Sequence, residues 1–243
     1  MSCGSLSYVS APNCTSIYGC AFESCSKLET VNFDSVEYIH SSAFRACSSL
    51  ESISLANCLS LYEEAFYDCS ALKSIDLPLC SIISNYAFRW CQALSVLRAS
   101  SCSLIGVQAF AMCGSLSNVS LPLCGAVYGY AFLYCSALSS IELPACKSLS
   151  FGAFMSCSNL EVVRLPICTT VSSNLFSDCP KLKSVYFGGS FLVPFSSNLF
   201  LSTPMVNSSY LGYYGSIYVK TSLVASYRSA TGWSSLSARI VGY

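Results

Sequence analysis

Charge is scarce in this sequence: only 10% of its 243 residues are charged, 12 basic against 12 acidic, where about a quarter is usual for a soluble domain. A balance of zero does not resemble the basic balance of nucleic-acid binders, where clustered Lys and Arg supply most of the affinity, and no nucleic-acid partner is expected. Histidine is scarcer still, with His40 alone. A Ser-His-Asp site would need that one imidazole held by a carboxylate and touching a nucleophile, and nothing in its neighbourhood suggests either. Paired carboxylates are nearly absent, Glu63-Glu64 being adjacent and solvated. No P-loop, no GxGxxG and no CxxC pair occurs. No catalytic residue, no metal site and no cofactor is therefore assigned, and an enzyme is not expected. A cleavable export signal is also missing, since Met1 runs into Cys3, Leu6 and Val9 without a basic segment ahead of an apolar one. Either export takes another route or the chain is a piece of a longer protein; a first repeat that starts partway through its unit favours the piece. From Ala99 to Ile141 no residue is charged. Leu121 to Cys135 (LPLCGAVYGYAFLYC) is apolar enough to suggest a membrane span. That stretch holds Pro122, Gly125 and Gly129, and its apolar residues fall in the same columns as those of the other repeats, so a buried core is expected and membrane insertion is not.

What is present is a period. Phe22, Phe44, Phe66, Phe88, Phe110, Phe132 and Phe154 each follow an alanine and recur every 22 residues; Phe176, after Leu175, keeps the phase. A leucine column runs from Leu6 through Leu28, Leu50, Leu72, Leu94, Leu116, Leu138 and Leu160 to Leu182 at the same spacing. Two registers held over so many units mark a repeat architecture in which each unit buries its apolar face only against its neighbours.

One unit, from Cys69, reads CSALKSIDLPLCSIISNYAFRW. Leu72-x-x-Ile75-x-Leu77-x-x-Cys80 matches the leucine-rich-repeat template, whose period range includes 22. Ile75 and Leu77 alternate with Ser74 and Asp76, which predicts a short strand with its apolar side inward. Pro78, lacking an N–H, ends it. The chain then turns at Cys80, returns through Ile83 and packs Ala87 and Phe88 behind the strand. The prediction is a repeat solenoid, a leucine-rich-repeat horseshoe or arc. It carries a parallel sheet of about nine short strands, roughly 40 Å long at 4.8 Å per strand, and is otherwise mostly irregular.

The pattern L-x-x-I-x-L-P-x-C-x-x-I-x-x-x-A-F-x-x-C resembles the BspA-like (Treponema pallidum-type) leucine-rich repeats, over nearly the whole chain. The resemblance implies a surface-exposed or secreted protein of host-associated microbes that adheres to host or neighbour-cell protein or glycan. It also admits a piece of a larger phage-encoded or cell-wall-attached protein, in which this array is a rigid spacer. Oligomeric state is left open.

Residues 1–204 are read as the solenoid and 205–243 as a small α/β C-terminal cap. Phe200 follows Phe176 by 24 residues, so Gly188 to Leu199 absorbs a two-residue insertion. Gly215 to Lys220 alternates like a strand, and Ser222 is placed as the N-cap of a helix ending near Gly232. Trp233 and the tail from Ala238 then close the open core, as repeat arrays require.

The 17 cysteines fall mostly in two columns. One runs every 22 residues from Cys3 to Cys179. The other holds Cys14, Cys58, Cys80, Cys102, Cys124, Cys146 and Cys168, with Val36 in the same slot of its turn. A valine replaces a packing residue but not half a disulfide or a metal ligand, so small buried thiols are expected. In the second column the thiol can also donate to a turn carbonyl. A disulfide between turns and a metal site remain the alternatives. Cys20 stands outside both columns, among Ser42, Glu64, Tyr86, Gln108, Tyr130, Gly152 and Asn174, and is the candidate for an exposed, reactive thiol.

Binding is expected on the outward strand positions, a serine field with scattered charge. Asp76, Arg98, Glu142, Arg164 and Tyr186 are the ligand-binding candidates, arginine and tyrosine being enriched at binding hot spots; an ordinary solvated face is the other reading. A second candidate is the aromatic row Tyr18, His40, Tyr62 and Tyr128, with Tyr86 and Tyr130 nearby. Such rings either stack on sugars or partner groups or merely cover the flank of the core. Asn13-Cys14-Thr15, Asn118-Val119-Ser120 and Asn207-Ser208-Ser209 match the glycosylation sequon, which matters only if a eukaryote secretes the chain.

Overall fold

Backbone hydrogen bonds tie turn to turn along three sides, with interruptions on the first, and this is what makes a solenoid of the chain. The computed structural model describes residues 3–207, 209 and 212–243; Ser208 of the third sequon lies outside them.

The first side carries the expected strands. They are Tyr8–Ser10, Thr30–Asn32, Ser74–Asp76, Val96–Arg98, Asn118–Ser120, Ser140–Glu142, Val162–Leu165 and Ser184–Phe187, followed by Ser216–Val219 and Ile240–Gly242 from the tail. All pair in parallel, but they form 2-, 3- and 5-stranded sheets rather than one. Thr30 and Ser52 are joined by an isolated bridge.

The second side differs from the single predicted sheet. Two-residue strands, from Ser16–Ile17 to Thr170–Val171, stack into an 8-stranded parallel sheet. Ile83, read as part of a returning loop, is its inward residue in one turn. Strands this short show no alternation long enough to register as a period.

The third side has turns in place of strands, built on the Ala-Phe segments. The N–H groups of Cys20, Phe22 and Ser24 donate to the carbonyls of Ser41, Ala43 and Arg45, at 3.1, 2.8 and 2.7 Å. The same trio recurs up the stack. Asn174, Phe176 and Asp178 donate to Ser197, Leu199 and Leu201, so the pattern resumes beyond the insertion. Pointing alternate amides along the axis without a strand requires left-handed residues. Two per turn supply them: the column of Cys20 (φ 57°), Ser42, Glu64 and Tyr86, and that of Ser24 (φ 60°), Ala46, Asp68 and Trp90. Most are not glycine, and each L-residue held there costs about 1–2 kcal/mol, offset by the inter-turn bonds it permits.

Inside, the leucine column from Leu28 to Leu182 is buried, as is the phenylalanine column from Phe44 to Phe200. The phenylalanine rings stack turn upon turn from Phe22, with centroids 5.1 to 6.0 Å apart. Both cysteine columns are free thiols that donate to carbonyls. In the first, Cys69 Sγ lies 3.0 Å from the Phe44 oxygen, and the bond repeats from Cys47 to Cys179. In the second, each thiol donates two residues ahead, as Cys80 does to Ile82 at 3.1 Å.

Beyond Pro204 the tail adds its two strands to the first side and lays helix α1 (Val224–Ser229) over the open end. Ser222 is not an N-cap: it lies inside a 3-10 turn, Thr221–Leu223, and α1 starts at Val224 without a side-chain cap. The helix stops at Ser229, ahead of Gly232, and a second 3-10 segment covers Trp233–Arg239. Trp233 is fully buried against Phe187, Phe195, Phe200 and Tyr227. Its Nε1 donates to the Val193 carbonyl at 2.8 Å, and Val193 N donates to the Tyr227 hydroxyl, so the insertion is what the cap clamps. Gly232 makes the entry to this corner, with φ 83° and space for a Cβ only 2.3 Å from the Phe195 ring. Gly232→Ala is expected to cost about 2 kcal/mol or more through strain and overlap together, read as a lowered urea midpoint. An unchanged midpoint would mean that Phe195 moves aside freely.

Candidate functional site

The five strand-face candidates stand in one register column. Asp76 is paired with Arg98, and Arg98 with Ser120. Higher in the stack Glu142 pairs with Arg164, Arg164 with Tyr186, and Tyr186 with Tyr218. A parallel ladder brings such neighbours to about 4.8 Å, so the column is an outward row in two stretches, Asp76 to Ser120 and Glu142 to Tyr218. Asp76, Arg98, Glu142 and Arg164 are exposed, and Tyr186 is half-buried.

Ion pairs elsewhere on this side join turns in a neighbouring column, Lys73 to Glu51 and Lys183 to Glu161. Glu161 also holds the Lys183 ammonium above its ordinary pKa by hydrogen bonding. Glu142 and Arg164 take part in no ion pair among the described residues. The Arg164 guanidinium instead lies over the Tyr186 ring, 4.2 Å from its centroid. Tyr186 stacks on Tyr218 at 4.4 Å and meets Tyr243 edge-on. Sequence reasoning missed Tyr218 and Tyr243, because both lie beyond the last regular repeat.

Between the strands Asn118–Ser120 and Ser140–Glu142 the ladder is interrupted. An opening of about 540 Å³ lies there, lined by Ser117, Asn118, Ser140, Glu142 and Arg164 over Val119, Ile141 and Val162. A smaller recess of about 220 Å³ shares Glu142 and Arg164 and adds Tyr186 and Tyr243.

The aromatic row is only partly assembled. Tyr18, His40 and Tyr62 form a stack with centroids 5.5 and 4.9 Å apart and rings within 9° of parallel. Ser84 and Gly106 fill the next two places in the column, so Tyr128 stands apart from them. Tyr130 meets Phe151 edge-on, and Tyr86 lies near the Arg89 guanidinium. Both faces of His40 are covered by its neighbours, while Tyr18 at the end of the stack remains 73% exposed.

Cys20 is exposed, and so is Cys3, with Cys14 half-buried. A hydrogen bond with Glu23 holds the Cys20 thiol above its ordinary pKa, which disfavours the nucleophilic thiolate. Its column is set by backbone conformation: every member from Cys20 to Asn174 is left-handed. Among the described residues no His/Cys/Asp/Glu group has metal-binding geometry, and no helix is long and apolar enough to cross a membrane.

The repeat geometry agrees with a family model. The BspA type leucine-rich repeat region matches in 6 copies over residues 1–82 and 81–206. This chain belongs to that family. Among solved structures, this BspA-type chain resembles a leucine-rich repeat protein from Bacteroides ovatus at 26% identity and TM-score 0.60, covering 77% of this chain. It spans 56% of that protein's length. It also resembles the Treponema pallidum leucine-rich repeat protein at 21% identity and TM-score 0.54, with 81% of each chain covered. No curated protein matches the sequence.

Proposed function

We propose that this BspA-type array is a non-enzymatic binding module, displayed at a cell surface or secreted, that engages protein or glycan of a host or neighbouring cell through its strand face. The observation that carries the reading is the outward column itself. Arg98 below the break, and Glu142 and Arg164 in register above it, stand without ion-pair partners among the described residues, and Arg164 leads into an aromatic corner of Tyr186, Tyr218 and Tyr243. Charges kept exposed and uncompensated on a chain this poor in charge are available to a partner.

The test is binding of labelled protein to mucin, matrix proteins, epithelial cells and bacterial cells, with Arg98→Ala/Arg164→Ala alongside. Saturable binding to one of these is expected, weakened about tenfold or more in the double variant, since losing two interfacial arginines typically removes more than 1.4 kcal/mol. Failure to bind any of them would favour the second reading, a rigid spacer within a larger cell-wall-attached or phage-encoded protein. Support for that reading comes from the second and third sides, whose bonds run from turn to turn along the array and stiffen it.

A further inference from the structure

We infer that the second of the two breaks in the first-side ladder, between Asn118–Ser120 and Ser140–Glu142, is a glycan site. It takes a neutral oligosaccharide whose ring edges enter between the turn of Asn118 and the turn of Ser140; this rests on the strand face being the recognition surface.

The break is confined to one side of the solenoid. Between the same two turns, Lys147 and Gly125 remain bonded on the second side, and Phe132 N donates to the Ala153 carbonyl just above on the third. On the first side the bonds stop after the corner, where Ala137 N and the Ser136 hydroxyl still donate to the Gly114 carbonyl. Ser95 accepts from Ser117 N, and Ser139 accepts from Glu161 N, but the Ser117 carbonyl accepts no bond from the turn above it. The Ser120 carbonyl accepts from Ala99 N and that of Arg164 from Leu143 N, while the Glu142 carbonyl has no such donor. The N–H groups of Ser139 and Leu121 are the matching unused donors. Ser117 and Glu142, whose carbonyls lack these bonds, line the opening, and the unused donors lie close in sequence to its lining residues, Ser139 beside Ser140 and Leu121 just past Val119. Val119, the inward residue at the break, is half-exposed where Leu97 and Ile141 beside it are buried.

The shape of the opening selects among ligands. With two sides still bonded at one-turn spacing, the turns are not far enough apart to admit another strand, which would need about 4.8 Å on each of its edges. Strand addition by a peptide is therefore excluded at this place. A polyhydroxylated ring edge needs less room and carries both donors and acceptors. Its hydroxyls would meet unused N–H and C=O groups together with the Ser117 and Ser140 hydroxyls and the Asn118 amide. The unpaired Glu142 carboxylate is an acceptor for hydroxyl donors, and Arg164, held on Tyr186, supplies donors from the same rim. Residues Ala99 to Ile141 are uncharged, and the opening's Glu142 and Arg164 balance each other, so it has no net charge to draw in an acidic chain. A volume of about 540 Å³ falls within the range of small-molecule sites.

The full chain is titrated with neutral tetrasaccharides of glucan, mannan and N-acetyllactosamine type, and with sialylated and heparin-derived oligosaccharides, by calorimetry and by NMR. At least one neutral series is expected to bind, shifting the amides of Ser117 to Leu121 and Ser139 to Leu143. Asn118→Ala/Glu142→Gln should weaken it about tenfold or more, as loss of two polar contacts, one charge-assisted, predicts, while Lys147→Ala on the second side leaves it unchanged. Circular dichroism and melting of each variant confirm folding. Binding only of acidic oligosaccharides, or neutral binding indifferent to Asn118→Ala/Glu142→Gln, overturns the site. So does saturable, Arg164-dependent binding to a protein that no oligosaccharide competes away, and that result keeps the strand face while rejecting the glycan. If neither sugars nor cell and matrix material bind, both readings fall together.

Discussion

Raising the pH from about 8 to about 10.5 is expected to unfold this protein outright. Burial pushes the thiols of Cys47, Cys124, Cys146 and Cys179 up to about 12, and those of Cys102 and Cys168 to about 11. Cys69, Cys91, Cys135 and Cys157 are raised well above their ordinary value by the same desolvation. In the unfolded chain each would ionise near pH 8.5. Below that, both states hold their protons and these groups make no pH-dependent demand. Above it the unfolded chain releases protons that the folded chain must retain, so stability falls until the folded values are reached. Each thiol then removes about 1.4 kcal/mol per pH unit. About ten acting together exceed a total stability of about 5–15 kcal/mol within one to two units. Thermal melting followed by circular dichroism in reductant, at steps from neutral to about pH 11, should show the midpoint collapse on the alkaline side. Replacing thiols by valine, as Val36 already does in its turn, should make the decline shallower. A midpoint that stays level to about pH 10.5 would show that the thiols ionise in place, and the buried columns would have to be abandoned.

Phe110→Ala should be the most damaging single truncation. The ring is fully buried between Phe88 and Phe132, with centroids 5.2 and 5.5 Å away. Loss of its transfer energy and the cavity left behind cost about 3–5 kcal/mol, and two stacked partners add about 0.5–1.5 kcal/mol each. In a linear array every turn depends on its neighbours, so the damage should spread unevenly. Hydrogen exchange should show the amides of the two adjoining turns losing protection first, with the chain unfolding as two blocks instead of one. Phe22→Ala, at a position only partly buried near one end, is the natural comparison and should cost clearly less. A loss below about 1 kcal/mol for Phe110→Ala would mean that the surrounding turns close the gap, against the rigidity that close packing implies.

The period was readable because each turn places the same residue types in the same environment, so Leu72 and Phe88 identify their columns without any structure. What stayed hidden was carried by the backbone. Two-residue strands such as Ile82–Ile83 have no room for alternation. The left-handed column of Cys20, Ser42, Glu64 and Tyr86 reads as surface composition, because glycine marks it only at Gly152 and asparagine at Asn174 and Asn198. Ser222 has the composition of a cap, yet the 3-10 turn that precedes α1 draws it inside. The outward column could be listed from alternation alone. The opening beside Glu142 could not, since Ser117–Leu121 and Ser139–Leu143 follow the same pattern as segments that are fully bonded.

The three bonded sides have one more effect. Strands advance by about 4.8 Å per turn, and the phenylalanine stack advances by 5.1 to 6.0 Å. With nearly equal steps on opposite flanks, a duplicated unit of the gene lengthens the molecule without much altering its curvature or the aim of what it displays. Reach therefore becomes a trait that inheritance can adjust in single increments of about 5 Å, independently of which residues the surface carries.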